Sequence, residues 1–335
     1  MKTQATTIIA PGAAVYQPPR WLRNGHLQTV YPSLMRRLSG VHYRRERVET
    51  PDGDFLDLDW LGPGGTGRAI VLSHGLEGSS GSGYIKGMAR AFVRHGWDAV
   101  AWNFRGCSGE VNRRPRSYHA GATEDLDAVV HHLLGLGYAE IALVGFSLGG
   151  NLTLKYLGER GDDAVPAIVG GAVFSVPCDL EACADTLTRP ANAFYQYRFM
   201  IQLRDKIRRL ADQFPGAVEL EGLEAMRTFR EFDNRYTARM HGFIDAAHYW
   251  STCSSRHFLA GIRRPTLLVN ALDDPFLSRA CYPAREAAAN PMVVFEAPRH
   301  GGHVGFVRLA GDELYWSELR ALTFLGSIAG KNGAG

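Results

Sequence analysis

Six short, nearly continuous apolar runs recur along the chain, and they constrain its fold more than any other feature. The runs are AIVLSHG (69–75), DAVAWNFRG (98–106), IALVGFS (141–147), AIVGGAVFSVP (167–177), TLLVNALDD (266–274) and MVVFEAP (292–298). Runs of this kind are typical of strands buried on both faces of a parallel sheet. Helix-like segments lie near 83–95, 122–136, 148–160, 279–290 and 313–329. The alternation predicts an α/β fold with a mostly parallel, doubly wound sheet.

Two regions depart from this alternation. The segment HYRRERVETPDGDFLDLDWLG (42–62) has two alternating runs around Pro51-Asp52-Gly53, which predicts a β-hairpin. The roughly ninety residues between Pro177 and Pro265 contain no convincing buried strand, and that length is too great for a loop in a compact domain. We interpret residues 178–262 as an inserted, mostly helical cap segment within a single domain that spans residues 1–335.

The composition is that of an ordinary globular protein. Of the 335 residues, 45% are hydrophobic and 21% are charged, and the formal net charge is +3. Since no basic face with interleaved aromatic residues is evident, we expect no nucleic-acid partner. Two short basic clusters are expected on solvated faces: Arg44-Arg45-Arg47 and Arg204-Lys206-Arg208-Arg209. Peripheral contact of these clusters with anionic lipid headgroups is the alternative.

The cysteines and the first residues indicate a cytoplasmic protein. Five cysteines without a C-x-x-C pair predict neither a disulfide framework nor a zinc site, which fits a reducing compartment. The opening MKTQATTIIAPGAAVY has an apolar run too short for a signal-peptide core. No stretch approaches the roughly eighteen apolar residues of a membrane helix, so we expect no transmembrane segment. The sequence leaves the oligomeric state open.

A candidate nucleophile lies in the string Gly145-Phe146-Ser147-Leu148-Gly149, where an apolar run meets a helix-like segment. A G-x-S-x-G string is common by chance, but this strand-turn-helix context is the one that a nucleophilic serine requires. The hydroxyl must project from a strained turn, and the flanking glycines let strand and helix approach without a Cβ clash. A serine that only caps the helix is the alternative.

A serine nucleophile needs a base and a carboxylate that orients this base. In enzymes with this type of serine turn, the acid and then the histidine follow the serine along the chain. The run LLVNALDDPF ends with Asp273 and Asp274 before Pro275. We prefer Asp274 as the acid because it stands where the chain leaves the strand. Asp273 is expected to support it or to cap the following turn.

The stretch EAPRHGGHVGF (296–306) supplies two candidate bases, His300 and His303. Glycines directly before His303 permit the close approach that a base must make to the serine oxygen, so we predict His303 as the base. His300 is then a loop residue. A metal pair is the alternative, but it lacks a third ligand and the compact H-E-x-x-H spacing. We therefore expect no metal and no cofactor.

Two backbone N–H groups are candidates for binding the oxyanion of a tetrahedral intermediate. The loop LSHGLEGSSGSGY (72–84) follows the first buried strand and supplies Leu76, and the residue after the serine is Leu148. A phosphate-binding loop is the alternative, but the Gly-Lys-Ser/Thr ending of a P-loop is missing.

With these residues assigned, the sequence resembles the YheT-like branch of the α/β-hydrolase superfamily. The resemblance rests on NGHLQTVYPSL (24–34), SHGLEGSSGSGYIKGMA (73–89), NFRGCSGEVNRRPRSYHAGATEDL (103–126), GFSLGGNLTLKYLGE (145–159), NALDDPF (270–276) and HGGHVGF (300–306). It implies an α/β-hydrolase fold with Ser147, Asp274 and His303 as the catalytic set. It also implies carboxylesterase or acylglycerol-hydrolase activity, in a soluble form without the membrane anchor of eukaryotic relatives. Arg105, Cys107 and His119 belong to these motifs, and we expect structural roles for them.

These observations together predict a serine carboxylesterase that acts on a small ester or lipid-like substrate with a short- to medium-chain acyl group, or on acylglycerols. Acyl transfer or amide hydrolysis by the same residues is an alternative, because an acyl-enzyme does not dictate its acceptor. A non-enzymatic small-molecule receptor is a further alternative. Six aromatic residues of the cap segment are expected to line an acyl pocket or to form the segment's own core: Phe194, Tyr195, Tyr197, Phe199, Tyr249 and Trp250.

Overall fold

The computed structural model describes residues 16–309 and 314–332, and one eight-stranded sheet forms its centre. The strands are β1 (Arg44–Glu49), β2 (Phe55–Leu61), β3 (Arg68–Ser73), β4 (Asp98–Asn103), β5 (Glu140–Phe146), β6 (Ile168–Phe174), β7 (Thr266–Val269) and β8 (Val293–Glu296). Their order across the sheet is β1-β2-β4-β3-β5-β6-β7-β8. β1 and β2 form the predicted hairpin, β2 is also antiparallel to β4, and all other pairs are parallel. The six predicted buried strands are confirmed.

Helices flank this sheet and fill the long connection between β6 and β7. They are α1 (Gly25–Met35), α2 (Gly83–Val93), α3 (Thr123–Gly135), α4 (Leu148–Arg160), α5 (Leu180–Leu187), α6 (Ala193–Gln213), α7 (Phe229–Phe232), α8 (Ala238–His241), α9 (Ala246–Cys253), α10 (Ala284–Ala288) and α11 (Trp316–Asn332). Asp233–Thr237 forms a π-helical turn between α7 and α8. Short 3-10 helices are Arg20–Leu22, Gly161–Asp163, Pro190–Asn192, Leu223–Ala225, Ser255–His257, Leu259–Gly261 and Arg279–Cys281.

The sheet is covered on both faces, as the apolar runs predict. Successive side chains of a strand point to opposite faces. In β3, Val71 packs in a core that includes Leu126 of α3 and Leu152 of α4. The next residue, Leu72, packs in a second core with Met88 of α2. Helices therefore lie on both sides of a mostly parallel sheet, and the predicted fold class is confirmed.

The connection between β6 and β7 contains α5 to α9 and no strand. Its buried side chains, including Met200, Leu203 and Ile207 of α6, join the same core as α3 and α4. None of the helices in the described part of the chain is both long and apolar enough to cross a bilayer. That this connection forms a distinct cap, with limits at 178 and 262, stays an interpretation.

Helix α1 was not predicted, because its burial pattern reverses the usual one. Its buried residues are Gly25 and Gln28, whereas Leu27, Leu34 and Met35 are exposed. A helix normally shows apolar residues on its buried face, and this periodicity is the main sequence signal for a helix. The sequence pattern of residues 25–35 therefore predicts irregular structure instead of a helix.

The expectation that both basic clusters lie on solvated faces is wrong for part of the second cluster. Arg204 and Lys206 are buried on the inner face of α6. Arg204 donates to the carbonyl oxygen of Met226, and Lys206 forms a buried ion pair with Glu77. In the first cluster, Arg45 pairs with a carboxylate of the neighbouring strand β2. These side chains contact protein groups and offer little charge to an external lipid surface.

Candidate active site

Ser147 occupies a strained turn between β5 and α4. Its φ is 52° and its ψ is −122°, a conformation that non-glycine residues rarely adopt. A Cβ atom added to Gly149 would lie 2.4 Å from the backbone carbonyl oxygens of Ser73 and His74, and one on Gly145 would lie 2.5 Å from the carbonyl oxygen of Gly149. Both flanking glycines are therefore required sterically, and the serine side chain is held away from the helix.

Ser147, His303 and Asp274 form one chain of hydrogen bonds. The distance from His303 Nε2 to Ser147 Oγ is 2.9 Å, and that from His303 Nδ1 to Asp274 Oδ2 is also 2.9 Å. A carboxylate accepts hydrogen bonds, so the imidazole proton lies on Nδ1 and Nε2 is free to accept from the serine hydroxyl. The Asp274 side chain is fully buried and that of His303 is 9% exposed. This arrangement can activate a serine hydroxyl by general-base catalysis.

The second histidine and the second aspartate form a separate pair. His300 Nδ1 lies 3.2 Å from Asp273 Oδ2, and the other oxygen, Asp273 Oδ1, accepts from the backbone N–H of Gly302 at 2.9 Å. Burial raises the pKa of the Asp273 carboxyl group. The structure thus joins each histidine to its own carboxylate, and Asp273 holds the loop that carries His303.

Two hydroxyl groups that the sequence analysis missed also hold this loop. Thr29 Oγ1 of α1 accepts from the backbone N–H of His303 at 2.9 Å and donates to the carbonyl oxygen of Gly25. Ser175 Oγ, just after β6, accepts from the backbone N–H of Val304 at 2.8 Å. A hydrogen bond from the backbone to a side chain leaves no pattern in a sequence. The one signal available for Thr29 was its place in the motif NGHLQTVYPSL (24–34).

The backbone N–H groups of Leu76 and Leu148 have no hydrogen-bond acceptor among the described residues. Leu148 is the first residue of α4, where helix N–H groups are unpaired and the helix dipole favours negative charge. Leu76 follows Gly75, where an added Cβ would lie 3.2 Å from the Cβ of Ser147. Leu76, Leu148 and Ser147 line the same cavity. Both predicted donors are therefore unpaired and lie close to the serine.

The loop that carries Leu76 is fixed by buried groups. His74 Nε2 accepts from the backbone N–H of Phe104 at 3.1 Å, so Nδ1 carries the proton and donates to the carbonyl oxygen of Gly75 at 2.7 Å. Burial lowers the pKa of His74 to about 3, which keeps the ring neutral. The hydroxyl of Tyr84 accepts from the backbone N–H of Gly75. Fixed donors need no reorganisation when charge develops on a substrate.

Glu77 connects this loop to helix α6. Its backbone N–H donates to the hydroxyl of Tyr118 at 2.8 Å, and that hydroxyl donates back to the Glu77 carboxylate at 2.7 Å. Lys206 Nζ lies 3.4 Å from the same carboxylate and donates to the carbonyl oxygen of Gly106. The Glu77 and Lys206 side chains are more than nine-tenths buried. A helix of the β6–β7 connection thus contacts the loop beside the serine through a buried ion pair.

Two cavities meet at Ser147. The first has a volume of about 110 Å³ and a mostly apolar lining, which includes Leu180, Ala184, Leu187, Leu203, Ile207, Phe229 and Trp250. The second has a volume of about 480 Å³, includes His303 in its wall, and is lined by α1 and α6 through Val30, Leu34, Phe194, Tyr195, Arg198 and Gln202. The serine can therefore reach an apolar chamber on one side and a larger, more polar one on the other.

The six aromatic residues of the cap segment divide among these surroundings. Tyr249 and Trp250 line the first cavity, Phe194 and Tyr195 line the second, and Phe199 lines both. Tyr197 lines neither, and it is 62% exposed. Tyr249 and Trp250 also lie in the core, with Tyr195 and Phe199 packed against it, whereas Tyr197 neither lines a cavity nor packs in the core. That any of them lines an acyl pocket stays a prediction.

The motif residues Arg105 and His119 have different surroundings. Arg105 is buried and pairs with Asp125 of α3 at 2.6 Å and with Asp54 beside the hairpin at 3.0 Å, so it locks two elements together. His119 lines the first cavity, and its ring centroid is 4.3 Å from that of His241. Burial lowers the pKa of both histidines, which keeps the pair neutral.

Asp233 gives the wall of the first cavity a pH-dependent stability. It accepts from Thr237 Oγ1 at 2.6 Å and from Trp250 Nε1 at 2.8 Å, and burial raises its pKa from 3.8 to about 6. Because the folded-state pKa is the higher one, this contribution to stability is complete below pH 3.8 and is lost as the pH rises through about 6. We expect the free energy of unfolding to fall by about 3 kcal/mol across this window.

The test compares Asp233→Asn with the wild type in urea unfolding between about pH 4 and pH 8. The amide oxygen can accept from Trp250 Nε1 and the amide nitrogen can donate to Thr237 Oγ1, so the variant should keep both contacts and lose this part of the pH dependence. Asp212→Asn, at an exposed position of α6, is the control and should follow the wild type. Parallel pH profiles for wild type and Asp233→Asn would contradict the assignment.

A family model described as alpha/beta hydrolase fold matches residues 68–308 of the chain. The match spans more than half of the chain and includes the serine turn and both candidate partners. The chain therefore belongs to the α/β-hydrolase fold family. The esterase Pf2001 of Pyrococcus furiosus has a similar structure, with a TM-score of 0.56, 18% identity, and coverage of 95% of this chain and 99% of that one.

Among curated relatives, the chain is 38% identical over 301 residues to the Escherichia coli (strain K12) protein named "Putative esterase YheT", which covers 88% of each chain. It is 32% identical over 302 residues to the Mus musculus protein named "Phospholipase ABHD3", covering 87% of this chain and 73% of that relative. The resemblance to the YheT-like branch is confirmed. The chain is a serine hydrolase of the α/β-hydrolase family.

Proposed function

We propose that the chain is a serine carboxylesterase that hydrolyses esters of short- to medium-chain acyl groups, including acylglycerols. The observation that carries this proposal is the hydrogen-bonded chain from Asp274 through His303 to Ser147, on a strained turn that opens to an apolar cavity. Relatives named as an esterase and as a phospholipase support ester hydrolysis.

In the proposed reaction Ser147 Oγ attacks the acyl carbonyl while His303 Nε2 takes the hydroxyl proton. Asp274 keeps the imidazole in the tautomer that is protonated at Nδ1 and stabilises its charged form. The N–H groups of Leu76 and Leu148 bind the oxyanion, and each such donor is worth roughly a hundred- to a thousandfold in rate. His303 then gives the proton to the leaving alcohol, and a water molecule hydrolyses the acyl-enzyme by the same steps.

The two cavities suggest how the substrate lies. The first cavity is apolar and small, so it suits an acyl chain. The second cavity is larger and contains the exposed guanidinium of Arg198, so it suits the alcohol part of the ester. The buried ion pair of Glu77 and Lys206 would fix the position of the acyl-cavity wall relative to the oxyanion loop.

The acyl cavity is tested by reducing its volume. Ala184 of α5 lines it, so Ala184→Leu should lower kcat/KM for p-nitrophenyl octanoate by about tenfold or more. Hydrolysis of p-nitrophenyl acetate should stay within about twofold of wild type, because a short acyl group does not reach that wall. Ala182→Leu, on the same helix but outside the lining, is the matched control. Equal losses on both esters, or the same loss in the control, would contradict the placement.

Product analysis in the presence of an added alcohol separates hydrolysis from acyl transfer. The proposal expects free carboxylic acid as the main product from p-nitrophenyl esters and from monoacylglycerols. A main product in which the acyl group has moved to the alcohol would make the chain an acyltransferase. A panel that includes a glycerophospholipid then tests whether the activity extends to phospholipid esters.

A further inference from the structure

Exposed apolar side chains are concentrated on two segments of the molecule. Thirteen large apolar side chains are exposed among the described residues, and seven of them lie within residues 20–35 or 194–201. These seven are Trp21, Leu27, Leu34, Met35, Phe194, Tyr197 and Ile201. Single exposed apolar residues are ordinary, but a cluster of them marks an interaction surface. We call these seven residues the rim.

Helix α6 contributes an apolar stripe on its outer face. Phe194, Tyr197 and Ile201 follow one another at spacings of three and four residues, so they share one face of the helix. They are 63%, 62% and 44% exposed. The inner face already carries buried residues such as Met200 and Leu203, which pack in the core. α6 therefore has two apolar faces, and the residues that the structure describes cover only one of them.

The 3-10 helix Arg20–Leu22 contributes Trp21 to the rim, and helix α1, which lies beside α6, contributes Leu27, Leu34 and Met35. Helices α1 and α6 touch through His26 and Tyr195, whose Nδ1 and hydroxyl oxygen are 3.1 Å apart. Leu34 of α1 and Phe194 of α6 both line the second cavity, although they are 67% and 63% exposed. The rim therefore lies at the entrance of the cavity whose wall includes Ser147.

The two segments that carry the rim contain basic but no acidic residues. Residues 16–45 and 186–204 contain no aspartate or glutamate. Five exposed arginines of these segments have no ion-pair partner among the described residues: Arg20, Arg23, Arg37, Arg189 and Arg198. Arginine attracts anionic headgroups while its aliphatic stem lies along apolar surface. The rim and these arginines together are complementary to a lipid surface, in which an apolar layer lies beneath negatively charged headgroups.

We propose that the rim docks the protein on a lipid surface that carries anionic headgroups, with the second cavity opening toward the lipids. A protein partner or a second copy of the chain on the rim would cover the entrance of the cavity. A lipid surface instead places ester-bearing molecules at that entrance. Apolar and aromatic residues interspersed with arginine on one face are typical of surfaces that lie at a membrane interface.

The apolar part of the rim is tested with Met35→Ser/Tyr197→Ser/Ile201→Ser, three exposed positions outside both cavity linings. Binding is measured by co-sedimentation with vesicles of equal parts phosphatidylcholine and phosphatidylglycerol. We expect wild type to bind and the triple variant to bind at least about tenfold more weakly, because each apolar side chain contributes to partitioning. The control is Leu136→Ser/Ile244→Ser/Met292→Ser, three exposed apolar residues outside the rim, which should bind like wild type.

The contribution of the arginines to vesicle binding is tested with the double variant Arg23→Gln/Arg37→Gln. The control is the double variant Arg94→Gln/Arg239→Gln. The first pair should reduce binding to the anionic vesicles by about fivefold or more, and the control pair should not. Wild type should bind vesicles of phosphatidylcholine alone more weakly than anionic ones. Failure of wild type to bind, or an equal loss in either control, would overturn the proposal. A concentration-dependent dimer that the triple serine variant abolishes would assign the rim to a second copy.

This docking surface does not depend on the proposed esterase chemistry, and the two are tested separately. Co-sedimentation is repeated in the Ser147→Ala background, where binding should persist. The rim variants should hydrolyse p-nitrophenyl acetate in vesicle-free buffer at the wild-type rate, which also shows that they fold. Loss of acetate hydrolysis in the triple serine variant would count against the rim as a separate surface.

Discussion

Ser147→Ala is expected to lower kcat for p-nitrophenyl butyrate by about 10⁵-fold or more, with KM changed little. In the proposed mechanism, alanine removes the oxygen that forms the acyl-enzyme, while the cavities and the proposed oxyanion donors stay in place. An interaction that acts only in the chemical step alters kcat and leaves ground-state binding unchanged. The measurement is steady-state hydrolysis followed by the release of p-nitrophenol.

The control for this variant is its folding. Alanine at position 147 keeps the same backbone strain, so the urea unfolding midpoint should stay close to that of wild type. Ser327→Ala, at an exposed position of α11, should retain full activity. A loss smaller than about tenfold in Ser147→Ala would show that another group attacks the ester.

His303→Ala is expected to lower kcat by about 10⁴-fold or more, whereas His300→Ala should stay within about tenfold of wild type. His303 Nε2 lies 2.9 Å from Ser147 Oγ, so its loss removes the proposed general base. His300 contacts the Asp273 carboxylate instead, and its loss weakens only a loop contact. The two variants remove the same side chain three residues apart, so each is the matched control of the other.

The two aspartates provide a second matched pair within the same prediction. Asp274→Asn should cost about 10⁴-fold in kcat, because an amide no longer favours the proton on His303 Nδ1. Asp273→Asn should cost little, since its Oδ1 still accepts from the N–H of Gly302. A larger loss in Asp273→Asn or His300→Ala than in the partner variant would mean that the other pair performs the chemistry.

The sheet could be predicted because its strands are buried on both faces. Burial on both faces demands continuous apolar runs, and such runs stand out in a sequence. The candidate site followed from the same order of elements, since Ser147 directly follows β5, and Asp274 and His303 lie in the loops after β7 and β8. Chain order therefore predicted two partners for Ser147 that lie far from it in the sequence, His303 being 156 positions away.

The parts that could not be predicted are those in which burial does not follow residue type. α1 buries Gln28 and exposes Leu34, so no amphipathic pattern marks it. Lys206 belongs to a charged run, yet it pairs with Glu77 inside the protein. Thr29 acts through a single hydroxyl bond to the backbone of His303. Each depends on a contact between distant residues, which a single sequence does not encode in its periodicity.

The most direct test of the proposed catalytic serine is covalent labelling with a fluorophosphonate probe, which reacts with activated serine hydroxyl groups. Intact-mass analysis and peptide mapping should find one adduct, on the peptide that contains Ser147. The adduct should be absent from Ser147→Ala, strongly reduced in His303→Ala and retained in His300→Ala. An adduct on another serine, or labelling that persists in Ser147→Ala, would contradict the account.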